Sequence, residues 1–321
     1  MRHRRLAAIA AAILAVTVAG CSGATPSAGG PSGAVPSAAA PSSAASPKTD
    51  LVTDVDVGGR TLHLVCVGPL DTGEPTVVFE AGLGGPFVVW SDVLSAMQST
   101  HRVCAYDRAG LGASPAAPET ARTTKDIVAD LHQLLTTAKL GGPYVMVGHS
   151  FGAWPIALYA SDYPDDVAGV VLVDPRGPKV SAEWRDALPA PTATASEDPA
   201  VAANRDELGA FETDPSMNDE HLQMTESATE TNAVLDADGP LFGDRPLVVL
   251  GAADTHTNWA DLPADLVPVF DQIWLDGQKA LAAESTAGSF VSVPDSNHEI
   301  QFDQPAVVVD TIEGVLATLD H

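Results

Sequence analysis

Between residues 76 and 174 the chain alternates short apolar runs with stretches of helical period, and that alternation restricts the fold more than any other feature. Thr76-Val77-Val78-Phe79-Glu80, Arg102-Val103-Cys104-Ala105-Tyr106, Tyr144-Val145-Met146-Val147 and Val170-Val171-Leu172-Val173 read as strands buried on both faces. Thr124 to Leu140 places Ile127, Leu131, Leu134, Leu135 and Ala138 at helical spacing, with Thr123 or Thr124 as N-cap. Alternation of this kind predicts an α/β fold, a mostly parallel sheet with helices on both faces. Such sheets take ligands at the carboxyl ends of their strands.

Those ends hold the distinctive residues. The third run leads into Gly148-His149-Ser150-Phe151-Gly152, and Ala153 to Tyr163 continues as a helix that tolerates Pro155 in its first turn. A G-x-S-x-G sequence between strand and helix makes a sharp, strained turn that leaves the serine hydroxyl exposed. Chance alone would place roughly 0.15 copies in a chain of this composition, so the strand context carries the reading. The first run ends in Ala81-Gly82-Leu83-Gly84-Gly85, where backbone can approach a ligand closely, and the fourth ends at Asp174-Pro175.

On either side of this block the pattern changes. Residues 1–20 read as an export signal, with Arg2-His3-Arg4-Arg5 followed by an apolar stretch from Leu6 to Val18. Val18-Ala19-Gly20-Cys21 resembles the bacterial lipobox, which implies lipidation of Cys21 and anchoring to the outer face of a cell membrane; full secretion is the alternative. Residues 21–50, nearly all Ser, Ala, Pro, Gly and Thr, cannot bury enough surface to fold and read as a tether with a span of roughly 30 Å. The folded domain is expected over residues 51–321, opening with a β-hairpin around Gly58-Gly59. Residues 176–244 interrupt the alternation with acidic, Pro-rich sequence and short helical pieces, as a lid insertion would. A strand at Pro246 to Gly251, a helix within 263–283, a strand at Phe290 to Val293 and a helix from Pro305 to Leu319 complete the series.

The formal charge is −26, from 16 basic and 42 acidic residues. Phosphate neutralisation needs a basic surface, so a nucleic-acid partner is excluded. No zinc spacing, phosphate-binding glycine loop or glycosidase carboxylate pair is present, and neither cofactor nor metal is expected.

Glu80 to Gly85, Tyr106-Asp107-Arg108-Ala109-Gly110-Leu111-Gly112-Ala113-Ser114, Gly148 to Gly152, Gly251-Ala252-Ala253-Asp254 and Asn297-His298 together resemble the α/β-hydrolase superfamily, specifically its bacterial esterase-like members. The resemblance implies an eight-stranded, mostly parallel sheet and a serine nucleophile. It also makes the strands that carry Cys66 and Cys104 neighbours, so the two thiols either pair as a disulfide or stay buried and free.

Serine needs an imidazole to take its proton, and the imidazole needs a carboxylate to fix its tautomer. Ser150, Asp254 and His298 fall in the chain order this superfamily uses. Asp254 matches the G-x-x-D position; Asp174 is the alternative acid, kept open by the 44 residues between Asp254 and His298. The backbone N–H groups of Leu83 and Phe151 are the expected oxyanion hole, although Glu80-Ala81-Gly82 stands where relatives often carry His-Gly. Asp107 and Arg108 are expected to pair locally around their turn. The implied activity is hydrolysis of small or medium carboxylic esters, with thioesterase, lactonase, aminopeptidase or a non-catalytic surface binding protein as alternatives. The expected partners are a small ester and, through Cys21, a membrane; oligomeric state stays open.

Overall fold

The apolar runs line up as one eight-stranded sheet in the computed structural model, which describes residues 50–70, 72–191, 197–254 and 262–319. The strands are β1 (Leu51–Asp56), β2 (Thr61–Val67), β3 (Thr76–Glu80), β4 (Val103–Tyr106), β5 (Tyr144–His149), β6 (Val167–Val173), β7 (Leu247–Ala252) and β8 (Gly288–Val293). Their order is β1-β2-β4-β3-β5-β6-β7-β8, and β4 through β8 are mutually parallel across their shared edges. Only β2 runs against the rest, because the Gly58-Gly59 hairpin returns the chain from β1; both glycines have φ near +100° (94° and 101°), a conformation that costs glycine nothing.

Period-two alternation divides each inner strand between two cores. Val78, Cys104, Met146 and Leu172 face one, with Ile127, Leu131 and Leu134 of α2 (after the short α1, Ser91–Met97, α2 spans Thr124–Thr137) and Ile156 of α3 (Ala153–Asp162). Val77, Phe79, Val145, Val147 and Val171 face the other. Helices cover both faces, so in the inner strands β3 to β7 polar residues are confined to the ends. Thr123 is the α2 N-cap and closes a capping box with Asp126, whose carboxylate accepts the Thr123 amide at 2.8 Å.

The insertion between β6 and β7 contains α4 (Val180–Ala187), α5 (Pro199–Thr213) and α6 (Met224–Leu235). The chain then passes through α7 (Val267–Ala282), α8 (Ile300–Asp303) and α9 (Pro305–Leu319). Val180 and Trp184 of α4, Val201 and Leu208 of α5 and Phe270 and Trp274 of α7 form a third apolar cluster. The second core adds Val93 and Met97 of α1 to Val308 and Ile312 of α9.

Cys66 and Cys104 are cross-strand partners in the β2–β4 ladder and are joined by a disulfide. The expected leader, Cys21 and most of the tether lie outside the described residues.

Candidate active site

β5 ends at His149, and the chain turns at once through Ser150–Gly152 into α3. The turn holds Ser150 at φ +52°, a region that costs a β-substituted residue energy. A Cβ on Gly152 would lie 2.6 Å from the carbonyl oxygen of Glu80, so glycine there lets the turn press against the end of β3. Ser150 Oγ lies 2.9 Å from His298 Nε2, and His298 Nδ1 lies 2.6 Å from Asp174 Oδ2.

The carboxylate that meets His298 is that of Asp174, the alternative acid, and the expectation that Asp254 would hold His298 is corrected. The reason lies in strand order. β6 is the immediate neighbour of β5, with His149 opposite Val173, so Ser150 and Asp174 leave the sheet side by side; β7 stands one strand further out. Asp174 also turns out through a left-handed conformation, at φ +40°. Its carboxylate is fully buried (0 %) and its second oxygen accepts Ala252 N at 2.9 Å, Gln278 Nε2 at 2.6 Å and Trp274 Nε1 at 3.4 Å. The end of β7 thus contributes an amide to the site. Asp254, two residues on, is exposed, and its own amide bonds Ser296 O at 3.1 Å.

His298 follows β8 and is one-fifth exposed, as a base that meets substrate must be. Its carbonyl accepts His149 Nε2 at 2.9 Å. A carbonyl only accepts, so His149 carries its proton on Nε2. Burial, with His298 alongside, pushes the His149 pKa down to about 3, which keeps that ring a neutral donor. His149 thereby ties the end of β5 to the loop that carries His298. On the opposite side the stacked rings of Phe270, Trp184 and Trp274 end edge-on against His298, at 5.4 Å between centroids.

The glycine loop after β3 is set by a buried ion cluster. Arg108 donates Nη1 to Glu80 Oε1 and to Ala81 O and Nη2 to Gly82 O, each at 2.6 Å. It also forks onto Glu220 from the insertion, at 2.6 and 2.8 Å. Glu220 in turn accepts the Gly84 amide at 3.0 Å, and Tyr106 donates to Glu80 at 2.6 Å. Arg108 therefore does not pair locally as expected, and Asp107 accepts backbone amides in place of a charge, that of Ala113 within the turn at 2.8 Å and that of Phe87 at 2.7 Å. A trans peptide points its C=O and its N–H in opposite directions. With Gly82 O held by Arg108, the Leu83 N–H faces away from that cluster. Among the described residues neither Leu83 N nor Phe151 N has a hydrogen-bond acceptor.

His149, His298 and Glu299 bring one ligand atom each within 4.8 Å of the others, a spacing a metal ion accepts. Their donor chemistry does not suit one: His149 Nε2 is protonated, and both nitrogens of His298 are engaged by Ser150 and Asp174.

Residues 75–222 match the family described as alpha/beta hydrolase fold. The chain has the α/β-hydrolase fold. Carboxylesterase CesB (YbfK) of Bacillus subtilis superposes with a TM-score of 0.55 at 16 % identity, covering 84 % of this chain and 92 % of that one. Among curated sequences, the uncharacterized protein YqjL of Bacillus subtilis (strain 168) is 26 % identical over 235 residues, 73 % of this chain and 80 % of that protein. The probable transporter efuK of Hormonema carpetanum is 33 % identical over 124 residues, and this chain spans only 18 % of its length.

Neither Glu220 nor Gln278 was marked by sequence spacing, since both act from far along the chain. Glu80 carried a signal: a carboxylate closing an apolar strand needs a buried cation.

Proposed function

We propose that the protein is a serine hydrolase that cleaves carboxylic esters through an acyl-enzyme on Ser150. The observation that carries the reading is the unbroken relay from Ser150 Oγ through His298 to Asp174, at 2.9 and 2.6 Å. His298 Nε2 takes the serine proton as Oγ bonds to the ester carbonyl carbon, and Asp174 stabilises the resulting imidazolium. The carbonyl oxygen becomes an oxyanion, met by the unengaged amides of Leu83 and Phe151; donors of this kind contribute on the order of 3 kcal/mol each to the tetrahedral state. Collapse breaks the bond to the alcohol oxygen, which leaves with the proton from His298. Water, deprotonated by the same ring, then releases the acid.

The likeness to a carboxylesterase supports the ester class. Export with lipidation at Cys21 forms part of the same reading, and the Cys66–Cys104 disulfide supports an oxidising compartment. A fluorophosphonate probe tests the chemistry: it labels the folded protein and spares Ser150→Ala. Absence of labelling in the folded wild type overturns the proposal.

A further inference from the structure

Arg176 is tied through its backbone to the turn that carries Ser150, and the relay does not use its charge. It follows Asp174 by two residues, its amide donates to Ser150 O at 3.0 Å, and its carbonyl accepts Trp154 Nε1 at 2.7 Å. The backbone of Arg176 is thus pinned to the nucleophile turn. The side chain runs outward into the insertion, where Cζ sits 5.1 Å from the Trp184 ring centroid and 5.0 Å from that of Phe211.

In a chain with 42 acidic residues many arginines find a carboxylate, as Arg60, Arg108, Arg122, Arg185 and Arg205 do, while Arg245 is held by the carbonyls of Pro164 and Phe242. Arg176 finds no carboxylate among the described residues. Nη2 donates to Ser181 Oγ, Nε is buried with no acceptor, and Glu212, the acid that acts on it, is taken by Arg185. Burial, offset only in part by the charge of Glu212, pulls its pKa down to about 10. A withdrawn guanidinium that is short of acceptors destabilises the free protein, and an arriving anion relieves that cost. The space for one is present: a cavity of about 150 Å³ is lined by Arg176, Asn204, Glu207, Leu208 and Phe211. Glu207 on its rim is exposed, where water screens its charge.

We propose that Arg176, held between Trp184 and Phe211 at this cavity, receives a carboxylate carried by the substrate, so that the esters cleaved at Ser150 are anionic half-esters of dicarboxylic acids. Guanidinium suits that role, because its planar fork matches a carboxylate and its faces stack on aromatic rings. The inference rests on the ester-hydrolase reading and adds the substrate class to it.

The test compares ethyl hydrogen glutarate, adipate and pimelate with ethyl esters of monocarboxylic acids of matched length, followed by pH-stat. At least one half-ester is expected to exceed its neutral counterpart tenfold or more in kcat/KM, through KM. Arg176→Gln is expected to abolish that advantage and Arg176→Lys to restore part of it. Equal kcat/KM for the two series, or an equal loss of both in Arg176→Gln, overturns the assignment. The wild-type comparison decides even where the variant does not fold. Calorimetric binding of the free adipate dianion to Ser150→Ala, weakened at least tenfold by Arg176→Gln, separates the two readings: binding without turnover refutes the hydrolase alone, and turnover without binding or half-ester preference refutes the carboxylate site alone.

Discussion

Asp174→Asn is nearly isosteric, yet the hydrogen bonds around the carboxylate decide which way the new amide points. One oxygen of Asp174 accepts from three donors, Ala252 N, Gln278 Nε2 and Trp274 Nε1, and the other accepts from His298 Nδ1. The amide oxygen of an asparagine must take the three-donor side, because an NH2 there would face N–H groups alone. The NH2 then points at His298, and Nδ1 has to become the acceptor. The ring proton moves to Nε2, the atom that faces Ser150 Oγ, and a protonated Nε2 cannot take the serine proton. The wrong tautomer in a serine triad costs about 10⁴ in kcat, equivalent to about 5.4 kcal/mol. Hydrolysis of a 4-nitrophenyl ester under saturating conditions measures it. Asp254→Asn, at an exposed position beyond the end of β7, is expected to keep kcat within about twofold. A loss of several orders of magnitude in Asp254→Asn, with Asp174→Asn near wild type, refutes both the acid assignment and the tautomer argument.

Glu220→Gln leaves Arg108 with one buried carboxylate in place of two and weakens its hold on the glycine loop; kcat is expected to fall on the order of tenfold or more with KM little changed. Because the folded pKa of His149 lies near 3, the unfolded chain binds an extra proton between that value and about 6.5. Stability should therefore be complete above pH 6.5 and decline on acidification by about 1.4 kcal/mol per pH unit from this group, a slope that urea titrations detect and that His149→Gln removes. Replacing Cys66 and Cys104 by alanine opens a loop of 38 residues, and chain entropy alone predicts a loss of about 4 kcal/mol in the urea-derived stability. Incorporation of labelled palmitate in the producing bacterium should occur with the wild type and vanish in Cys21→Ala.

The parallel sheet was legible because its strands are buried on both faces and therefore nearly pure in composition, and because apolar residues at helical spacing behind a threonine cap announce α2. Helix α1 left no usable trace, since seven residues make too few turns to display a period. The serine and the histidine were legible for a local reason: each closes a recognisable strand. The carboxylate that meets His298 was not, because Asp174 and Asp254 both follow apolar strands, and what separates them is the strand order, which places β6 next to β5. The same holds for Arg108. Its turn is written locally, but its partner Glu220 lies 112 residues away, a distance over which no spacing rule speaks.

Confining the relay to the ends of β5, β6 and β8 also has an evolutionary consequence. Of the connection that leaves β7, the stretch ahead of α7 owes the site one backbone amide, that of Ala252, which any residue except proline supplies, whereas α7 owes it the side chains of Trp274 and Gln278. Substitution at exposed Asp254 is released from selection for turnover, whereas substitution at Trp274 or Gln278 is not. The stretch ahead of α7 is where variants of this chain are free to diverge while the reaction centre stays the same.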